Sequence, residues 1–313
     1  MVKNTGEDEK IAVIGAGLMG HGIAQVFASH GYDVALMDID QSRLDKALAS
    51  IRENLALMAA QGIGRAEDID DAIGRIATTT RLEEAAAGAE FVVEAVSEKL
   101  DLKRRLFSDL DSLCPPQTVL ATNTSVISIT EVAQDAVNKE RIVGAHFWNP
   151  PYLVPLVEIV PGRDSAPWAL DIACELLRSV GKHPVRVKKD VPGFVGNRLQ
   201  HALWREAISI VERGIADAET VDEVVKMGFG MRLPVLGPLE NADMVGLDLT
   251  LQIHEYILRH IEDSPEPSPL LQEKVGKGEL GVASGKGFRV WTPQEIEACR
   301  TGLQRHLMKW GRE

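Results

Sequence analysis

Basic residues are in deficit, cysteines are few, and no apolar run is long enough to cross a membrane. The 313-residue chain carries 34 Lys and Arg against 46 Asp and Glu, a formal net charge of −12. A surface of that sign repels phosphate backbones and anionic lipid, so nucleic acid and membrane are excluded as broad electrostatic partners and small molecules are expected instead. The three cysteines, Cys114, Cys174 and Cys299, are odd in number, far apart and in no metal-ligand spacing. They read as reduced thiols of a cytoplasmic protein without a metal site. The first ten residues, MVKNTGEDEK, are charged and hold no apolar stretch of the kind a secretory signal needs. Residues 11–28 are the most apolar long stretch, but several glycines, His21 and Gln25 make them a poor span and a good strand, turn and helix. Repeats and low-complexity tracts are also lacking. With 45% hydrophobic residues the chain has enough apolar side chains for two domains of ordinary size.

The strongest local signal is KIAVIGAGLMGHGIAQVFASHGYDVALMD. Ile11 to Ile14 form a short apolar run suited to a buried parallel strand, and Met19 to Ser29 form an alanine-rich amphipathic stretch suited to a helix. Between them stand Gly15, Ala16, Gly17, Leu18, Met19 and Gly20. In a Rossmann unit the first glycine makes the tight turn, the second admits a pyrophosphate to the backbone, and the third lets helix and strand pack closely. YDVALMD then reads as a second strand ending at Asp38, 18 positions after Gly20, where an acid binds a ribose 2′-hydroxyl and repels a 2′-phosphate. A bare GxGxxG is weak, but the ordered series of strand, turn, helix, strand and acid points to NAD. The single fingerprint disfavours FAD, and the acid disfavours NADP.

Residues 41–76 place Leu44, Leu48, Ile51, Leu55 and Met58 at helical spacing, break at QGIG, and continue as an acidic helical stretch through Ile73. A helical hairpin inserted in the sheet is expected. EFVVEAV, TVLATNTS and RIVGAHF supply three further strands, with KRRLFSDLDSLC as a helix between the first two. Ligands in an open parallel sheet bind beyond the carboxyl ends of strands, a rule that selects Glu98, Asn123, Ser125, His146 and Asn149. From about residue 190 the pattern turns helical. HPVRV reads as a strand, Pro192-Gly193 as a turn, and the following long helix presents Phe194, Leu199, Leu203, Ile208 and Val211, with Asn197 in its first turn, Gly214 as its terminator and Asp217 capping the next helix. The fold class expected is α/β: a Rossmann-type doubly wound parallel sheet with a helical hairpin insertion over residues 1–190, followed by a smaller all-α domain over 191–313.

AHFWNPPYLVPLVEIV sets His146 and Glu158 into an otherwise aromatic, aliphatic and proline segment. A lone histidine at a strand end is more often structural than catalytic. Oxidation of a secondary alcohol, however, needs a base for the hydroxyl proton, and an imidazole steadied by a carboxylate suits it. The two residues, 12 positions apart, meet if the proline-rich NPPYLVP turns the chain back as a strand.

Taken in order, GAGLMG, Asp38, VVEAVSEKLDLK, NTS, HFWNP, VEIV and KKDVPGFVGNRL resemble the NAD-dependent L-3-hydroxyacyl-CoA dehydrogenases, and the resemblance runs from Ile11 to GKGF at 285–288. It implies that His146 is the base, that Glu158 orients it, and that Ser125 and Asn197 position substrate. It also implies cofactor contacts at Asp38, Glu98, Lys103 and Asn149, and a homodimer acting in fatty acid metabolism on a hydroxyacyl substrate. The abundance of apolar helix after residue 194 likewise suggests a dimer. Plainer roles stand beside these: Ser125 capping a turn, Asn197 capping the helix, Glu98 solvated. The sequence departs from the resemblance where LALMAAQGIGRAEDIDDAIGRI offers Arg65 alone amid acids, and at Val282-Ala283-Ser284-Gly285, which lacks a lysine common in the family. NPPYLVPLVEIVPG is closer to relatives that oxidise free hydroxy acids, namely carnitine, L-gulonate (with the lambda-crystallins) and pyridine-carboxylate dehydrogenases. A non-catalytic, crystallin-like role is the remaining alternative, opposed by the intact set of four site residues. The catalytic-lysine motif of the beta-hydroxyacid dehydrogenases finds no match.

Overall fold

The computed structural model describes residues 10–310, so most of the charged amino-terminal stretch, residues 1–9, lies outside the described residues. Eight strands, β1 (Lys10–Ile14), β2 (Asp33–Met37), β3 (Ile76–Thr79), β4 (Phe91–Glu94), β5 (Val119–Thr122), β6 (Ile142–Phe147), β7 (Leu156–Pro161) and β8 (His183–Arg186), form one sheet in the order β3-β2-β1-β4-β5-β6-β7-β8. All neighbours pair in parallel except β6 and β7, which are antiparallel. The helices are α1 (Leu18–Ala28), α2 (Gln41–Ala60), α3 (Ile69–Gly74), α4 (Leu82–Ala86), α5 (Leu100–Leu113), α6 (Ile129–Val132), α7 (Pro167–Ser179), α8 (Gly196–Glu212), α9 (Ala218–Met227), α10 (Pro238–Val245), α11 (Leu247–Ile257), α12 (Pro269–Gly276) and α13 (Pro293–Trp310). The Rossmann-type sheet, the α2–α3 insertion and the helical second part answer the sequence expectation.

The central strands are apolar on both faces because both faces are covered. Ile11, Val13 and Val93 pack with Ile23 and Phe27 of α1, Leu44 and Ile51 of α2, and Ala173 and Leu177 of α7. Ala12, Ile14 and Val92 face the opposite layer, with Ala85 of α4, Phe107 and Leu110 of α5, and Ile129 and Val132 of α6. The chain divides into two compact units. One runs to Asn197 and takes in the chain from Leu303 onward; the other spans Arg198–Gly302. Within the second unit Asp217 caps α9 by accepting from the Thr220 N–H at 2.8 Å, and Ser268 caps α12.

Two placements differ from the sequence reading: Ile76–Thr79 forms β3, an edge strand that the reading does not expect, and Phe194 lies outside α8. Phe194 is not on the apolar face of α8 but precedes the helix, buried, at φ 49°. It shares this left-handed turn with Gly193 at φ 77°, and the turn sets the direction in which the helix begins. No helix among the described residues is long and apolar enough to cross a membrane, and none of their His, Cys, Asp and Glu side chains group in a way that could hold a metal ion.

The start of β6, the strand that carries His146, is pinned by a buried ion pair. Arg141, 1% exposed, donates from Nε and Nη2 to Asp111 Oδ1 at 3.0 and 2.6 Å, and from Nη2 to the Asp111 carbonyl at 2.6 Å. Without Arg141, Asp111 keeps the Val137 and Asn138 N–H groups and the Asn138 side-chain amide as donors but is left in the core with no countercharge, a cost that outweighs the modest net value of the pair itself. Arg141→Ala is therefore expected to lower unfolding free energy by about 3–5 kcal/mol, read as a drop in the denaturant midpoint; an unchanged midpoint would show that Asp111 finds solvent without it.

Candidate active site

The glycine turn after β1 has the shape that a dinucleotide needs. Gly15 sits at φ 104°, and a Cβ on it would lie 2.7 Å from the Ala95 carbonyl oxygen. A Cβ on Gly20 would fall 1.7 Å from the Gly15 carbonyl oxygen, so only glycine lets α1 lie this close to the turn. At Gly17, by contrast, a Cβ would meet nothing within 4 Å. That open space lies at the amino end of α1, where Gly17 is the N-cap residue without a capping side chain and where Leu18 is exposed and Met19 rests on the core. Uncapped helix N–H groups and the dipole behind them suit a pyrophosphate. Asp38, at the end of β2, is buried and accepts from the Ala16 N–H at 2.9 Å and the Asp40 N–H at 3.2 Å. Its carboxylate thus braces the turn, and two further lone-pair positions remain for a ribose. The turn and its acid fit NAD.

Farther along the sheet, His146 and Glu158 are directly paired residues of the β6–β7 ladder, so both side chains stand on one face. His146 Nδ1 lies 2.9 Å from Glu158 Oε2, with both side chains buried. A carboxylate only accepts, so the Nδ1 position carries the proton of this bond, and Nε2 is the ring atom left to meet a substrate. The other carboxylate oxygen, Oε1, accepts from the Val195 and Gly196 N–H groups, each at 3.0 Å, at the start of α8. Burial pushes the Glu158 carboxyl up, but the bonds from His146, Gly196 and Val195 outweigh it and hold it below the usual range. Gly196 allows this approach: a Cβ there would lie 2.3 Å from the Trp148 ring. Trp148 and Phe194 flank the imidazole, with centroids at 5.4 and 5.7 Å.

Asn197 follows directly. It is nearly buried, and its Nδ2 donates to the Ser125 carbonyl at 3.0 Å, so it does not cap α8. The Ser125 N–H in turn donates to Glu98 Oε1 at 2.9 Å, a carboxylate that also accepts from the Thr124 hydroxyl. Glu98 is therefore fixed in place and not freely solvated. Hydrogen bonds thus join His146 to Glu158 and Glu158 to the Val195 and Gly196 N–H groups, and, from the next residue along the chain, Asn197 to Ser125 and Ser125 to Glu98. Asn123 Oδ1 accepts from the Phe147 N–H at 2.8 Å and stitches the end of β5 to that of β6, while Asn149 is exposed in the loop beyond. Lys103 lies beneath this surface: its ammonium, 1% exposed, binds both oxygens of Glu94 at 2.7 and 2.9 Å and Glu98 Oε2 at 3.2 Å.

Sequence reasoning passed over three of the residues that shape the site. Glu94 is wholly buried at the end of β4, Trp148 lies against Gly196, and Asp190 accepts from Ser128 Oγ and from the Thr130 N–H and hydroxyl, tying the loop after Ser125 to the segment that leads into α8. Glu94 carried a visible signal, an acid inside an apolar strand.

A carboxyl held below its ordinary range contributes stability that is present above the unfolded-state value and is lost as pH falls through the folded-state value. Wild-type protein is therefore expected to lose denaturant resistance on acidification through the carboxylate range more steeply than Glu158→Gln, compared by urea midpoints from pH 7 downward. Parallel curves would remove the ionised carboxylate from the account.

Comparison with known proteins follows the same outline. Residues 10–191 match the NAD binding domain of 3-hydroxyacyl-CoA dehydrogenase, and residues 193–291 match its C-terminal domain. A 5-formyl-3-hydroxy-2-methylpyridine 4-carboxylate 5-dehydrogenase from Mesorhizobium japonicum is 34% identical, over 95% of this chain and 96% of that protein. A probable 3-hydroxybutyryl-CoA dehydrogenase from Bacillus subtilis is 40% identical over 90% and 97%. Among solved structures, that of a 5-formyl-3-hydroxy-2-methylpyridine 4-carboxylic acid 5-dehydrogenase, described as an NAD+-dependent dismutase, gives a TM-score of 0.89 at 33% identity and 98% coverage of both chains. The (S)-3-hydroxybutyryl-CoA dehydrogenase of Ralstonia eutropha gives 0.76 at 33% identity, covering 91% of this chain and all of the other. The chain belongs to the 3-hydroxyacyl-CoA dehydrogenase family, NAD-dependent oxidoreductases that act on CH–OH groups of small molecules.

Proposed function

We propose that this protein oxidises the 3-hydroxyl of an L-3-hydroxyacyl-CoA to the 3-keto product, reversibly, and that His146 is the base. The observation that carries the reading is the buried His146–Glu158 pair on β6 and β7, in the same sheet as β1, which leads into the glycine turn. NAD, when bound, supplies the hydride acceptor. His146 Nε2 takes the hydroxyl proton, and the imidazolium that forms is stabilised by Glu158, which is already held ionised by two backbone N–H groups. Ser125 and Asn197, bonded to each other through the Ser125 carbonyl, hold the substrate oxygen that becomes the ketone. Gly15, Gly17, Leu18, Met19 and Gly20 receive the pyrophosphate, and Asp38 the ribose. Asn123, Asn149 and Glu98 border the remaining cofactor, with Lys103 holding Glu98 from beneath. In this reading residues 1–190 bind NAD, and residues 191–313 serve substrate binding and dimerisation.

A second reading has its own support. Two arginines of the α2–α3 insertion are occupied by neighbouring acids: Arg52 by Asp70 at 2.7 Å, and Arg65 by Glu67 and Asp68 at 2.9 and 2.7 Å. Cations so paired are poorly placed to meet a polyphosphate tail, which favours a free small hydroxy acid of the carnitine, L-gulonate or pyridine-carboxylate type. An acidic chain whose three cysteines are all free fits a cytoplasmic setting, with fatty acid metabolism as the role in the acyl-CoA case.

The homodimer is supported by the second compact unit. Helices α9 to α12 contain no buried residue, and Met227, Leu239, Met244 and Tyr256 are each more than two-thirds exposed. A unit of this size needs an apolar partner, and a second copy supplies the same surface by two-fold symmetry. Light scattering is expected to give twice the 34.2-kDa chain mass; a monomer at micromolar concentration would contradict this.

For the chemistry, His146→Gln is expected to lower kcat by roughly three orders of magnitude or more with nearly unchanged NAD affinity. Wild-type turnover in that variant would end the base assignment. NADH formation measured in parallel from 3-hydroxybutyryl-CoA, carnitine, gulonate and pyridine hydroxy acids decides the substrate. A kcat/KM highest for the thioester supports the first reading, and one highest for a free acid replaces it with the second.

A further inference from the structure

Two carboxylates and one ammonium are packed together at the carboxyl ends of β4 and β5, at the outlet of the sheet. Glu94 is 0% exposed and its oxygens accept from the Val96 N–H at 2.7 Å, the Thr122 hydroxyl at 2.7 Å and Lys103 Nζ at 2.7 and 2.9 Å. Lys103 reaches on to Glu98, whose side chain is 38% exposed and opens to the surface. Burial pushes the Glu98 carboxyl up, but the Thr124 hydroxyl, Lys103 and the Ser125 N–H outweigh it and hold it below its usual range. The cluster of Glu94, Glu98 and Lys103 carries one negative charge in excess, and a single carboxylate would already neutralise the buried ammonium, so protein packing alone does not explain why a second carboxylate is kept here.

Strand order gives the cluster its position. The glycine turn follows β1 and His146 is the last residue but one of β6, and in the sheet β4 and β5 lie between them. A dinucleotide extended from the turn toward His146 crosses the ends of those two strands. We infer that Glu94, Lys103 and Glu98 form a fixed charge that favours oxidised over reduced NAD. This rests on the proposed placement of the redox centre beside His146. The oxidised nicotinamide carries a positive charge and the reduced ring none, while the rest of the molecule is unchanged. Uniform contacts bind both forms equally; a net charge at the ring end separates them. Burial of Glu94 and Lys103 limits solvent screening of that difference. In the oxidation direction the excess charge holds NAD+ for the substrate and releases NADH, and it draws the enzyme-bound equilibrium toward the alcohol.

The test is direct binding, by calorimetry for NAD+ and ring fluorescence for NADH, without substrate. Glu94→Gln and Glu98→Gln keep shape and an acceptor oxygen while each removes one charge. Each is expected to reduce the NAD+ to NADH affinity ratio, Glu94→Gln by roughly tenfold and Glu98→Gln by less, because solvent screens it. Asp38→Asn is expected to weaken both forms alike and leave the ratio unchanged. If the two glutamine variants are folded and their ratios match wild type, the inference is overturned, and Glu98→Gln decides alone should the fully buried substitution prevent folding. Failure of the base assignment looks different: His146→Gln would keep turnover while the ratios still shift.

Discussion

The Glu158 carboxylate is the constraint on which the site depends. It is buried and surrounded by apolar strand residues, where an unpartnered charge would be costly by several kcal/mol. Three donors from two directions answer it: the imidazole of His146 across the ladder, and the Val195 and Gly196 N–H groups. Each donor requires a particular feature of the chain. The β6–β7 register places His146 opposite Glu158 and not one residue to either side, a slip that would turn one of the pair to the other face. The left-handed turn at Gly193 and Phe194 aims the start of α8 at the carboxylate, and the missing side chain of Gly196 makes room for Trp148.

From that carboxylate the order spreads sideways along the strand ends. Asn197 rides on the same helix start and fixes the Ser125 carbonyl; Ser125 is bound to Glu98, and Glu98 through Lys103 to Glu94. Strand ends that are far apart in sequence are thereby held in one relation. Preorganisation of this kind serves catalysis because the groups that meet developing charge are held before the substrate arrives.

The parts legible in the sequence are those in which local pattern and burial agree. Apolar runs at Ile11–Ile14, Phe91–Val93 and Val119–Ala121 are strands buried on both faces, and the glycines of the turn are needed for reasons of backbone shape. The return of the chain through NPPYLVP is legible from its prolines. β3 is not: as an edge strand buried chiefly at Ile76, it lacks an apolar run. Phe194 looks helical by spacing, and only the tertiary demand of Glu158 for two N–H groups explains why the helix begins after it. Glu94 carries the same signal as Glu158, an acid within an apolar strand, but its partner Lys103 is nine residues on in a helix, and side-chain pairing between layers has no sequence period. The hydrogen bonds of Asp38 to the glycine turn are equally invisible before folding.

Nitrogen-15 NMR of the histidine ring at neutral pH tests the central claim most directly, because it reports which ring nitrogen holds the proton. The account predicts that the His146 signal is that of the Nδ1–H tautomer with a strongly hydrogen-bonded proton, and that this signature is lost when Glu158 is replaced by Gln. An Nε2–H tautomer in the wild-type protein, or a signature indifferent to that replacement, would contradict it.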